Sequence, residues 1–151
     1  PGTLFRLFNP VGPRQTGQYG MVIPRFVEAA LKNKPLRVYG TGEQTRCFCH
    51  VSDTVRALCL IAEMEDTFGE IINIGNTAPI TIRALAERVV SLLGSKSEIV
   101  HDPYDKAYEP GFEDMLQRVP DCSKIADLCG WRAEIPLDEI ILDVAAYLRA
   151  E

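Results

Sequence analysis

Apolar positions along this chain recur with two different periods, and each change of period marks a new element. Thr3 to Phe8 is short, aromatic and apolar but for Arg6, which suits a buried strand. Asn9-Pro10-Val11-Gly12-Pro13-Arg14 then predicts an irregular loop, because two prolines and a glycine oppose regular structure. After a polar loop (Gln15 to Gly20), Ile23, Phe26, Val27, Ala30 and Leu31 fall on one helical face, with Pro24 in the first turn. Lys32-Asn33-Lys34-Pro35 ends that helix. Leu36 to Tyr39 reads as extended, Gly40 and Gly42 as a tight turn, and Arg46 to Val51 as a second extended piece. Alternation along that piece puts Arg46, Phe48 and His50 on one face and Cys47, Cys49 and Val51 on the other.

Ser52 or Asp53 is the candidate cap of a helix from Thr54 to Met64, apolar at so many positions that it is predicted to be largely buried. Ile71 to Ile74 is a strand closed by Gly75-Asn76, and Thr81 caps a helix that runs to Leu93 and stops at Gly94. Ser97 to His101 is a further strand, and Asp102 to Val119 is irregular. Asp121 caps a helix from Cys122 to Cys129, and Pro136 opens the last helix with Leu137, Ile140, Ile141, Val144 and Leu148 inward. Strands alternating with helices predict an α/β fold.

Composition narrows the class. The 151 residues, 46% hydrophobic and 25% charged, suffice for one domain with a sizeable core, or for the larger part of one lobe of an enzyme. No apolar run reaches the length of a membrane span, and the N-terminus carries no secretory signal. It opens without Met on an apolar strand, as a piece of something longer would. Five cysteines, with no Cys-x-x-Cys pair, predict reduced thiols and hence a cytoplasmic protein. Strand alternation separates His50 from Cys47 and Cys49, so no shared metal ion is expected there.

The net charge of −5 argues against nucleic acid as a partner. Residues 1–56 nevertheless carry eight Lys/Arg against Glu28, Glu43 and Asp53, which suits a small anionic ligand or, more plainly, solvated surface. Arg46, on a strand beside a glycine turn, can offer a phosphate two parallel hydrogen bonds; a solvated hairpin is the competing reading. Asn9 and Arg14 lie in a loop at a strand C-terminus, where open α/β sheets bind ligands, although Asn-Pro also opens ordinary turns.

Several short runs then fall in a familiar order. Arg6-Leu7-Phe8-Asn9-Pro10-Val11-Gly12-Pro13-Arg14, Val22-Ile23-Pro24-Arg25-Phe26 and Pro35 to Arg46 (with Tyr39-Gly40-Thr41-Gly42 at its centre) are three of them. His50-Val51-Ser52-Asp53, Asn73-Ile74-Gly75-Asn76 and Asp121-Cys122-Ser123-Lys124 with Gly130-Trp131 complete the set. Together they resemble the C-terminal half of the extended short-chain dehydrogenase/reductase family, the NAD-dependent nucleotide-sugar epimerases, dehydratases and decarboxylases.

The resemblance implies a substrate-binding lobe spanning 1–151, with residues 1–14 belonging to the sheet of a Rossmann-like cofactor domain. It implies a nucleotide-diphosphate sugar as ligand, in a UDP-sugar epimerase or UDP-glucuronate decarboxylase. Asn9 would meet the diphosphate or sugar, Arg46 and Arg118 would clamp the diphosphate, and the strand with Leu36, Val38 and Tyr39 would lie along the nucleobase; Arg14, Val22 and Phe26 are further expected substrate contacts. Asp121 reads as a helix cap rather than a ligand contact. The family's glycine motif, G-x-x-G-x-x-G, and its Tyr-x-x-x-Lys are absent, since none of Tyr19, Tyr39, Tyr104, Tyr108 and Tyr147 has a lysine four residues on. NAD is therefore expected to belong to the parent enzyme and not to bind this chain tightly, and the chain alone is expected to be inactive. The alternative is a non-enzymatic binding module of the same ancestry. Expected partners are the missing N-terminal half and a second copy, as a homo-oligomer or a strand-exchanged dimer; no membrane partner is expected.

Overall fold

The computed structural model describes residues 2–17, 21–103 and 115–150, so the expected loops at Gln15 to Gly20 and Asp102 to Val119 lie partly outside the described residues. The strands are β1 (Leu4–Leu7), β2 (Pro10–Val11), β3 (Leu36–Tyr39), β4 (Thr45–Arg46), β5 (Cys49–His50), β6 (Ile71–Ile74), β7 (Ile80–Thr81) and β8 (Ile99–Asp102). The helices are α1 (Val22–Leu31), α2 (Val51–Ala62), α3 (Ile82–Leu93), α4 (Ser123–Cys129) and α5 (Leu137–Ala150). This is the mixed α/β order that the alternating periods predict. Strands pair two by two: β1 with β6, β2 with β5 and β3 with β8 run parallel, and β4 with β7 antiparallel. Among the described residues no helix is long and apolar enough to cross a membrane.

The chain divides into two compact units, each assembled from three separated stretches. The first comprises Pro1–Gly12, Cys47–Pro79 and Val119–Ile140. Its core joins Cys49, Ala57, Ile61, Ile72, Ile74, Ile125 and Trp131, so that α2 and α4 share the apolar face of β6. Gly75, which follows β6, is required by close approach: a Cβ there would stand 2.8 Å from Phe8 Cβ and 3.1 Å from Pro120 Cγ.

The second unit comprises Pro13–Arg46, Ile80–Arg118 and Ile141–Glu151. Here Leu36 and Val38 of β3 and Leu85, Ala86 and Val89 of α3 are buried, as are Ile23, Phe26 and Val27 of α1. The predicted stops and caps behave as their chemistry requires. Asn33 (φ 49°) and Gly94 (φ 60°) take the left-handed conformation after α1 and α3, and Thr81 Oγ1 accepts the Ala84 amide at 3.1 Å.

Four sequence expectations need correction. Pro10 and Val11, expected to be irregular, form β2, a two-residue edge pairing that tolerates a residue without an N–H. The second extended piece breaks between β4 and β5, and Cys47, Phe48, Cys49 and His50 are all buried, so two-sided alternation does not hold. The cap of α2 is His50, whose Nδ1 accepts the Ser52 amide at 3.1 Å, which moves the helix start ahead of Ser52 and Asp53. Finally, α2 is not largely buried, because only Asp53, Thr54, Ala57 and Ile61 are buried and Leu58 is partly so, while Val55 is 52% exposed. The predicted cap of α4 needs only a one-residue adjustment, since Asp121 Oδ1 accepts the Ser123 amide at 2.9 Å.

β1 forms where expected, yet Leu4 and Leu7 are 54% and 47% exposed, because among the described residues β6 is the only strand paired with it.

Asp53 fixes the first unit. Its Oδ2 accepts the amides of Glu134 and Ile135, each at 2.9 Å, its Oδ1 takes Arg56 Nη2 at 2.8 Å, and its carbonyl accepts Trp131 Nε1 at 3.1 Å. Burial raises the Asp53 pKa, but the Ile135 amide, Arg56 and the Glu134 amide together outweigh it and hold the carboxyl below its ordinary value. Asp53→Ala strands two amides and Arg56, and is expected to destabilise the protein by about 3 kcal/mol. A carboxyl with a depressed folded pKa stabilises at any pH above its unfolded value, about 4, and this contribution is lost as pH falls through the lower folded value. Urea unfolding followed from pH 6 to pH 2 is therefore expected to show a steeper acid loss in the wild type than in Asp53→Ala; equal slopes would remove Asp53 from this role.

Candidate functional site

The residues that the sequence nominates for ligand binding fall mainly in the second unit. Asn9 alone belongs to the first, with Arg14, Val22, Phe26, Leu36, Val38, Tyr39, Arg46 and Arg118 in the second. Asn9 sits at the end of β1 with φ 43°; its Nδ2 donates to the Cys47 carbonyl at 2.9 Å, and its own carbonyl accepts the Cys49 amide at 3.2 Å. The side chain thus ties the loop after β1 to the residues ahead of β5, and the backbone carbonyl ties it to β5 itself. Arg14 is exposed, with φ 70°.

Leu36 and Val38 are wholly buried, and Phe26 nearly so. What β3 can present outward is its backbone and the opposite row, Arg37 and Tyr39. The Tyr39 hydroxyl accepts Arg25 Nη2 at 3.0 Å, and the Arg25 guanidinium stands 5.4 Å from the centre of the tyrosine ring. Val22 opens α1 and is half-buried.

The turn that delivers Arg46 is fixed on both sides. Gly42 has φ 75°, and a Cβ there would stand 2.8 Å from Val38 Cγ1 and 3.0 Å from Arg83 Cβ, so glycine is needed for both conformation and room. The Gly42 and Gln44 carbonyls accept the amides of Arg83 and Ile82, each at 3.0 Å, which pins the turn to the start of α3. Gln44 is buried, and its Nε2 donates to the Tyr39 carbonyl at 3.2 Å. Arg46 then leaves β4 half-buried; its Nη1 donates to the Thr45 carbonyl at 2.7 Å and to the Met115 carbonyl at 2.9 Å. Arg118, three residues beyond Met115, is exposed.

Gln44, Thr45 and Arg25 support this site and were not singled out in the sequence. The Arg25 and Tyr39 pairing joins separate elements and leaves no local pattern. Gln44, a polar residue in a glycine turn ahead of a strand, offered only a faint signal.

Other chemistry is limited. Among the described residues no group of three His, Cys, Asp or Glu side chains is arranged to hold a metal ion. Cys49 is pushed up to about 11 by burial, with Asp53 and Cys122 adding to the rise against the Thr54 hydrogen bond and Arg56, so the thiol stays protonated at neutral pH. The glycines after β2, β3 and β6 do not open a cradle for the NAD pyrophosphate: side chains close over Gly12 (Val51), Gly42 (Val38 and Arg83) and Gly75 (Phe8 and Pro120).

Residues 1–75 match the NAD dependent epimerase/dehydratase family. Over 151 residues, 99% of this chain, it is 42% identical to the UDP-N-acetyl-alpha-D-glucosaminuronate decarboxylase of Bacillus cytotoxicus, of which it spans 46%. UDP-glucuronic acid decarboxylase 3 of Arabidopsis thaliana is 40% identical over 134 residues, which are 89% of this chain and 37% of the plant protein. Among solved structures, the UDP-glucuronic acid 4-epimerase of Bacillus cereus, in complex with UDP-glucuronic acid and NAD, superposes with a TM-score of 0.86 at 26% identity, over 98% of this chain and 45% of the epimerase. The chain thus spans less than half the length of these relatives. Along that length it belongs to the NAD-dependent epimerase/dehydratase family, within the extended short-chain dehydrogenases/reductases.

Proposed function

We propose that this chain is the nucleotide-sugar-binding part of an enzyme that converts a UDP-sugar with NAD, of the UDP-uronic acid decarboxylase or UDP-sugar epimerase type. The observation that carries the reading is the junction in the second unit where Arg46 and the segment leading to Arg118 are hydrogen-bonded together. A guanidinium held to a segment that carries a second arginine three residues on suits the two phosphates of a nucleotide diphosphate, since each arginine can donate in parallel to a pair of oxygens. The decarboxylase and epimerase relatives support the UDP-sugar class. The backbone of β3, with Val22 and Phe26 of α1 beside it, is assigned to the nucleoside, while Asn9 and Arg14 are assigned to the sugar side. In this family NAD supplies hydride chemistry when bound. The glycines after β2, β3 and β6 offer it no pyrophosphate cradle, so the task assigned to this chain is to bind and orient the diphosphate and the groups attached to it.

Residues 1–14 are assigned to the sheet of the cofactor domain. Support comes from β1, which has apolar residues exposed and, among the described residues, pairs on one side only, with β6. A parallel strand normally lies inside a covered sheet.

Two outcomes test these assignments. Arg46→Ala and Arg118→Ala are each expected to lose about 1.5–3 kcal/mol of UDP-sugar affinity, roughly ten- to hundredfold, measured by calorimetry. Lysine at either position should restore only part, because a point charge does not reproduce the fork. Wild-type affinity in both alanine variants would return these arginines to solvated surface. In light scattering, the 151-residue chain is expected to self-associate through β1, and Leu4→Lys with Leu7→Lys to shift it toward monomer. A wild-type monomer at high concentration would count against a sheet partner for this edge.

A further inference from the structure

One hydrogen bond of Arg46 reaches far along the chain. Its Nη1 reaches the Met115 carbonyl at 2.9 Å, across 69 residues of sequence. Next to it, the Thr45 amide donates to the Leu116 carbonyl at 2.8 Å, and the Thr45 hydroxyl approaches the same oxygen at 3.5 Å. Two successive carbonyls of the segment that carries Arg118 are therefore held by two successive residues of β4. Apolar burial does not explain how the segment is placed, because Met115 and Leu116 are 53% and 74% exposed and Arg118 is exposed as well. The hydrogen bonds to β4 remain as its described anchor. β4 in turn is fixed by its antiparallel pairing with β7, Thr45 opposite Thr81 and Arg46 opposite Ile80.

We infer that Thr45 and Arg46 are positioning residues for Arg118: β4 docks residues 115–118, and Arg46 thereby sets the place of the second arginine as well as acting as the first. The inference rests on the diphosphate reading above and deepens it, because it makes the two cationic arms one mechanical unit. The bonds to the Thr45 and Met115 carbonyls both leave from Nη1. Lysine, with a single nitrogen, cannot hold a backbone carbonyl and meet a phosphate with the same planar fork. Arg46 is thus a residue where arginine is required for shape, and Thr45 contributes through its backbone amide more than through its side chain.

The test combines a structural and a binding measurement on the full chain. Without ligand, amide hydrogen exchange at Gln117 and Arg118 is expected to speed up about tenfold in both Arg46→Ala and Arg46→Lys, and to stay at the wild-type rate in Arg118→Ala. UDP affinity is then measured for Arg46→Ala, Arg118→Ala and the double variant. If β4 places Arg118, the double variant loses at least about fivefold less affinity than the product of the two single losses, because Arg46→Ala has already dislodged the second arm. Unchanged exchange together with losses that multiply would overturn the coupling and leave the diphosphate assignment standing. Faster exchange with UDP affinity unchanged in every variant would instead sink the diphosphate assignment, and with it the ligand role claimed for the docking, while showing that β4 holds the segment. Circular dichroism of each variant separates these results from a loss of fold.

Discussion

The arrangement of the first unit depends on what happens to one buried carboxylate. Asp53 stands in the first turn of α2, 2% exposed, where a lone negative charge would be strongly unfavourable. Two backbone amides and a guanidinium meet it, and all but the guanidinium come from the loop after α4. Trp131 closes the same junction from the other side: its indole donates to the Asp53 carbonyl, and Arg56 lies 5.7 Å from its ring centre. Because the donors are backbone groups, their positions are set by the course of residues 131–135. The carboxylate therefore dictates where that loop runs, and so where α4 meets β6. Apolar contact between α2, α4 and β6 supplies most of the burial, but it would tolerate sliding that these directional bonds do not.

The second unit solves a different problem, the delivery of a charged side chain to a defined place at the surface. Gly42 makes the turn possible, the amides of Ile82 and Arg83 anchor it, and Gln44 fills the space beneath with its own hydrogen bond to Tyr39. Each of these contacts is neutral and short in range. Arg46 emerges from them with little freedom left at its Cα, which is the condition for a cation to act by geometry rather than by charge alone.

Much of the fold could be read from local chemistry. Thr81, Asn33, Gly94 and Gly130 act through residues within one turn of themselves, and the sequence displays that directly. The failures share a cause. Whether Val55 and Leu60 on α2 are buried depends on what lies over them, and no periodicity within the helix encodes it. His50 was passed over as a cap because an imidazole nitrogen serves only when the ring happens to turn back toward the Ser52 amide. For the site, the assignment of Arg46 and Arg118 to a phosphate is an expectation from their chemistry and from the family pattern. The bond from Arg46 to Met115 was not legible, since it joins positions with no common pattern in the sequence.

Neither unit occupies a continuous stretch of chain, and this shapes how the protein can reach its structure. β1 must wait for β6, whose partner positions begin 67 residues later at Ile71, and β3 for β8, whose first paired residue is Ile99. Every such pairing closes a long loop before any contact compensates for the lost chain entropy, so folding is slow for the size of the molecule. During synthesis, Leu4 to Leu7 leaves the ribosome well ahead of β6, its partner among the described residues. The Asp53 carboxylate emerges some 80 residues ahead of the amides of Glu134 and Ile135 that neutralise it. Until those later strands emerge such a chain presents open apolar segments, a window in which chaperones that hold short apolar strands can act.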